Sequence, residues 1–284
     1  MKKLLALVLT CCLLTLAPLS AHFNGPPAPA SAPPADACST DNDTFSAGER
    51  VVYKLFYKLG FVWIPAGEVV FQVNELPKQY HVTVTGKTYD SYEWVYSATN
   101  HYESYLDKET LLPILHIKDI KEHSSNYSRY DRTTFYPERG YAKSERGKTR
   151  DALETKRIPI EACMHDLVSI IYYARNLEFD EMRKNKETPI KVFMDQEIHP
   201  LSIKYLGEEK NVRVKDGGRY NTHVFSPTLV AGEVFKEGDE MKIWVSDDEN
   251  KLPLIIESPV VVGSVQAVLK SHKGLRHPLT AQLK

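Results

Sequence analysis

The sequence predicts a mainly β protein: a large curved antiparallel sheet or partly open barrel, with one main helix at about residues 162–178 packed on it. Three observations carry this expectation. Beyond Phe45 most of the chain alternates in polarity or is rich in β-branched and aromatic residues, as strands with one buried face are. Turn formers such as "KDGGR" near Gly217 and "DDEN" near Asp248 separate these runs, and short turns join antiparallel neighbours. One segment departs from the pattern and repeats its apolar residues at helical spacing.

Taken in order, residues 1–21 begin with Lys2 and Lys3, continue as an apolar run from Leu4 to Leu16, and end on the small pair Ser20-Ala21. That is the pattern of a secretory signal peptide, and the run is shorter than the roughly 20 apolar residues that span a bilayer. Residues 22–44 hold "NGPPAPASAPPADA", a Pro/Ala-rich linker with nothing to build a core from. Residues 45–284 are expected to form a single antiparallel β domain. Cys11 and Cys12 leave with the signal, whereas Cys38 and Cys163 remain. Export favours a bridge between them over two separate thiols.

Strands are expected at Val51–Lys58, "GEVVFQV" from Gly67, "HVTVT" from His81, "HYESYL" from His101, "PIKVFM" from Pro189, "LSIKYLG" from Leu201 and "NVRVK" from Asn211. "MKIWVS" from Met241, "LPLIIES" from Leu252 and "VGSVQAVLK" from Val262 complete the set, with "LGEEKN" near Gly207 read as a turn. In "ACMHDLVSIIYYARNLEF", from Ala162, Leu167, Ile170, Ile171 and Ala174 share one side of a helix of about four turns. Asp166 suits its start and Arg175 its end. "LDKETLLPI" from Leu106 and "SDDENKLPL" from Ser246 align without a gap. Each leaves a strand, turns on acidic or amide residues and re-enters at Leu-Pro, which reads as one hairpin written twice. The acidic residues lack the glycine-centred ligand spacing of a calcium loop.

The sequence offers little chemistry. Removing Lys2 and Lys3 takes the formal charge from −1 to −3, and without a basic stripe nucleic acid is a poor partner. No later segment is apolar enough to cross a membrane as a helix. "VGSVQ" at Val262 lacks the second glycine of a nucleophile elbow, and no cysteine pair has zinc spacing. Asp195, Glu197 and His199 of "DQEIH" would share a strand face as metal ligands, but Pro200 and the flanking strands make this a turn. His165 and Asp166 are adjacent on the chain and do not face each other. No catalytic residue, metal or cofactor is expected. "YDSYEWVYSATNHYESY" places Tyr92, Trp94 and Tyr96 on one strand face, as core packing or as the wall of a pocket for acyl chains.

"AGERVVYKLFYKLGFVWIPAGEVVFQV", "CMHDLVSIIYYARNL", "GGRYNTHVFSP" and "WVSDDENKLPLIIESPVVVGSVQAVL" together resemble the bacterial exported proteins grouped as domain-of-unknown-function family 3108, from about Phe45 to Leu269. The resemblance implies an exported envelope protein, periplasmic in location, and implies no activity. More distantly, the strand, turn, Leu-Pro, strand hairpin is similar to those of periplasmic lipoprotein carriers, whose curved sheet encloses an apolar hollow. The expectation is a non-enzymatic envelope protein that binds a lipid or lipoprotein acyl chain on a concave sheet. The alternatives are an assembly module that binds another envelope protein, or a hydrolase whose site is assembled from distant residues.

Overall fold

The computed structural model describes Cys38 and residues 40–92, 97–123, 125–179, 182–228, 240–260 and 263–284. The expected signal peptide and nearly all of the proline-rich stretch lie outside these residues. The described residues form sixteen strands in one sheet. β1 (Arg50–Leu59), β2 (Val62–Glu75), β3 (Gln79–Thr88), β4 (Ala98–Asp107), β5 (Pro113–Glu122), β6 (Tyr127–Tyr136), β7 (Tyr141–Gly147) and β8 (Glu154–Pro159) follow one another as an antiparallel meander. The two-residue β9 (Met164–His165) and helix α1 (Ser169–Arg175) come next. A second meander follows: β10 (Glu187–Met194), β11 (Glu197–Val214), β12 (Gly218–Pro227), β13 (Lys242–Ser246), β14 (Pro253–Pro259) and β15 (Ser264–Lys273). β16 (Gln282–Leu283) pairs with β12.

The two meanders join where β1 pairs antiparallel with β15 along nine residues. Strand order therefore runs from β8 back to β1, across to β15 and back to β9. Among the described residues β8 and β9 do not pair, so the curved ladder stays open. β8 is nearly all exposed, and its Glu154, Lys156 and Arg157 are the kind of charges that blunt a free sheet edge. Alternation fixes the inner face: on β4, Ala98, Asn100, Tyr102, Ser104 and Leu106 are buried while the residues between them are half-buried.

The repeated sequence is one hairpin built twice. Leu111 and Lys251, equivalent positions, both adopt positive φ, 55° and 46°. In the first copy the Asp107 carboxylate accepts the backbone N–H of Glu109 and Thr110. In the second the Asp248 carboxylate accepts Asn250 N–H and the Ser246 hydroxyl. Both copies carry a bulge just after the proline. The acidic residues hold their own turns.

Two sequence expectations need correction. "LGEEKN" does not reverse the chain: β11 runs straight through it to Val214, absorbing it as two irregularities against β12. Gly207 and Asn211 take positive φ at these points, which is how a strand accommodates extra residues without turning. The helix keeps its place and its packing against the sheet but spans Ser169–Arg175 rather than about 162–178. Cys163 has φ 58°, incompatible with helix, and is bonded to Cys38 with Cα atoms 5.2 Å apart. Met164 and His165 pair in parallel with Lys191 and Val192 of β10. The helix starts only after Asp166, whose carboxylate accepts the N–H of Val168 and Ser169, each at 2.7 Å.

Candidate ligand-binding cavity

Helix α1 lies inside the curve of the sheet and presents two unlike faces. Ser169, Tyr172 and Arg175 are buried; Tyr172 packs edge-on against Phe45 at 4.7 Å between centroids. Ile170, Ile171 and Ala174 are only half-buried, although they belong to the apolar stripe that should be covered. They border an internal cavity of about 220 Å³. The opposite wall is the inner face of β10–β14, with Ile190 and Val192, Leu201 and Ile203, Phe225, Ile243 and Val245, and Ile256. Val51 and Tyr53 of β1 and Phe71 of β2 close a third side. A dry apolar cavity of ~150 Å³ already accepts benzene.

The polar groups around this space are few, and most are bonded elsewhere. Arg175 donates to both Glu49 carboxylate oxygens at 2.6 and 2.9 Å, to Thr44 O and to Asn250 O. Burial alone would lower the Arg175 pKa, but the Glu49 carboxylate outweighs it and holds the guanidinium above its ordinary value. Tyr53 donates its hydroxyl to Pro253 O at 2.9 Å, and burial raises that phenol. Lys251 donates to Leu177 O at the helix end. Among the described lining residues Thr228, just past the end of β12, is the exposed one.

From β4 to β7 the inner face carries a polar row instead. One cross-strand row runs Tyr102, Lys118, Asp131, Arg146 over β4 to β7. The tip of the β10–β11 hairpin enters this row: Asp195, at φ 53°, accepts Lys118 at 3.0 Å, Arg129 at 3.3 Å and Arg146 at 3.1 Å. Burial would raise the Asp195 pKa, yet Lys118, Arg146 and Arg129 hold it below the usual carboxylate range. Desolvation lowers that of Lys118 in turn. Among the described residues the fully buried Asn100 amide and Tyr102 hydroxyl have no hydrogen-bond partner, a condition that internal water commonly relieves.

A second knot ties α1 to the same wall. Ser104 donates to Asp166 at 2.5 Å, and His116 Nδ1 stands 3.6 Å from that carboxylate. This is not a nucleophile arrangement, because the serine bonds the carboxylate directly with no histidine between them. His165 instead packs at a tilt against Tyr173, with ring centroids 4.4 Å apart, and burial pushes its pKa down to about 4. Among the described residues no three His, Cys, Asp or Glu side chains gather as metal ligands. Asp195 of "DQEIH" turns into the cationic row, and Gln196 shares the tight turn with it at φ 69°.

Of the aromatic residues singled out as a pocket wall, Tyr92 ends a short 3-10 turn from Asp90 rather than sitting in a strand. Its side chain, with Trp94 and Tyr96, lies outside the described residues. The walls that the structure does describe come mostly from aliphatic residues of β10–β14, with Tyr53, Phe71 and Phe225 among the aromatic contributors. Their strands were legible, but which of their faces bounds empty space was not. The one sequence signal for the cavity was the helix stripe of Leu167, Ile170, Ile171 and Ala174, all of which line it.

The sequence matches the model of DUF3108, a protein of unknown function, over residues 52–270. No curated protein matches it. Among solved structures the fold is similar to the crystal structure of a beta-barrel-like protein of domain of unknown function DUF1849 from Brucella abortus. That similarity has a TM-score of 0.54 at 9% identity and covers 81% of this chain and 98% of the other. At this identity the likeness concerns the fold alone.

Proposed function

The chain belongs to DUF3108, a family of unknown function, and we propose that it is an exported, non-enzymatic protein that holds an acyl chain of a lipid or lipoprotein inside its curved sheet. The observation that carries this reading is the cavity itself. A helix stripe that ought to be covered faces open space, walled on the other side by the aliphatic residues of β10–β14. An acyl chain filling it would gain about 0.8 kcal/mol per buried methylene, before the cost of association.

Polarity sets the direction of entry. Arg175, Glu49 and Tyr53 are consumed by protein partners, so they offer nothing to a headgroup. The apolar tail points inward and the polar end stays near Thr228. The Cys38–Cys163 bridge supports an oxidising compartment outside the cytoplasm. The direct bond from Ser104 to Asp166 supports a binding role over hydrolysis.

The test is native mass spectrometry of the mature chain purified from its own envelope, beside the variant Ala174→Trp. Ala174 lines the cavity, and an indole there fills it while leaving every hydrogen bond described above in place. The wild type should carry a lipid-sized adduct and the variant none, with its melting temperature kept or raised. A wild type free of adduct that also fails to take up a fluorescent fatty acid refutes the reading. So does a variant that loads as well as the wild type.

A further inference from the structure

We propose that the β1–β2 hairpin tip is a contact point for an anionic lipid surface, an inference that does not rest on the ligand reading above. Leu59 pairs with Val62, so the turn is the two-residue Gly60-Phe61, with Gly60 at φ 59°. Such turns normally carry a glycine beside a polar residue. Here the second position is a phenylalanine that is fully exposed, at 102%, and the next residue, Val62, is 60% exposed. Among the described residues the other large exposed apolar side chains, Leu76, Tyr127 and Leu283, are isolated and only 37–42% exposed. Scattered residues of that kind need no explanation, but an adjacent pair at the apex of a hairpin does.

The base of the tip is cationic. Trp63 packs edge-on to Phe56 at 6.2 Å between centroids. Lys58 Nζ lies 5.1 Å from the Trp63 ring, and Lys215 Nζ lies 4.3 Å from Phe56 and 5.9 Å from Trp63. Among the described residues neither Lys58 nor Lys215 pairs with a carboxylate, so their charge is available to an anionic partner. An apolar apex above aromatic rings and unpaired ammonium groups is the composition of a bilayer interface. Phe61 and Val62 can enter the acyl boundary while the lysines remain at phosphate level. A protein partner would need roughly 800 Å² of matching surface, whereas a two-residue apex suits insertion between lipids.

The experiment is co-sedimentation of the full mature chain with phosphatidylglycerol-containing vesicles and with pure phosphatidylcholine vesicles, across a salt series. The wild type should bind the anionic vesicles and lose them as salt rises. Phe61→Ser should lower the partition coefficient about ten-fold or more, since a phenyl no longer enters the bilayer. Lys58→Gln and Lys215→Gln should each lower it roughly five-fold and flatten the salt dependence. Phe61 is fully exposed, so Phe61→Ser should keep the wild-type melting temperature and its adduct in native mass spectrometry. The proposal is overturned if the wild type ignores anionic vesicles at low salt, or if Phe61→Ser binds them equally well. It is also overturned if that variant changes only self-association in the ultracentrifuge, which would make the tip a contact between protein copies. Loss of the adduct in Ala174→Trp with vesicle binding intact keeps the two claims separate.

Discussion

Glu49→Gln is expected to be the costliest single-atom change in the protein. Glu49 is 1% exposed and Arg175 is 4% exposed, and the two share a bidentate ion pair at 2.6 and 2.9 Å. Breaking a buried pair on one side costs about 3–5 kcal/mol, because an uncompensated charge remains inside. Asn250 O and Thr44 O still accept from the guanidinium, which places the expected loss near 3 kcal/mol. In a domain of this size that lowers the melting temperature by roughly 10 °C. Arg175→Met should cost at least as much, because it strands the Glu49 carboxylate and two carbonyls together. The double variant Glu49→Leu with Arg175→Met should lose much less than the sum of its single variants. Urea unfolding followed by circular dichroism closes this double-mutant cycle. A loss below 1 kcal/mol for Glu49→Gln, or additivity within about 0.5 kcal/mol, would mean that the pair is neither buried nor coupled as described.

Two further expectations follow from the same kind of reasoning. The Cys38–Cys163 bond closes a loop of 125 residues, worth up to about 4–5 kcal/mol in the loop-entropy model; mild reduction or the paired Cys→Ser variant should lower the unfolding midpoint, and an unchanged midpoint would show that the leading segment contributes nothing. Acid sensitivity should come in two windows. Burial depresses His165 from 6.5 to about 4, so the unfolded chain takes up a proton first and stability falls between about pH 6.5 and pH 4, by on the order of 3 kcal/mol. Asp195 is also depressed, so its contribution is present above the ordinary carboxylate pKa and is lost only at lower pH. His165→Gln should flatten the first window and Asp195→Asn the second, read from unfolding free energies across pH; identical profiles for the wild type and both variants would contradict the assignment.

The parts of the fold that could be read in advance share a local cause. Alternation in "HYESYL" and "MKIWVS" reports one buried face, and Leu-Pro after an acidic turn reports strand re-entry, so both copies of the hairpin were legible down to their bends. The first meander was harder, and β5 shows why. Its apolar Leu115 and Ile117 pair with Tyr105 and Glu103 on the outer face, while His116 and Lys118 point inward. Alternation was present but inverted, because the space beneath β4–β7 is filled by the Asp195 turn and its cations rather than by hydrocarbon. The helix is shorter than its spacing predicts for a similar reason. Ala162 to Asp166 has helical spacing, but the disulfide at Cys163 and pairing with β10 claim it first.

By itself the sequence determined the β character, the order of many strands and the one amphipathic stripe, since each depends on residues close along the chain. The tertiary structure alone decided that the stripe faces open space, that Arg175 donates to Glu49, Thr44 and Asn250, and that Phe61 stands fully exposed at a hairpin apex. A void is the absence of atoms from strands far apart in sequence, and exposure is the absence of a neighbour. Neither leaves a periodicity to read until the sheet has curved and the distant strands have met.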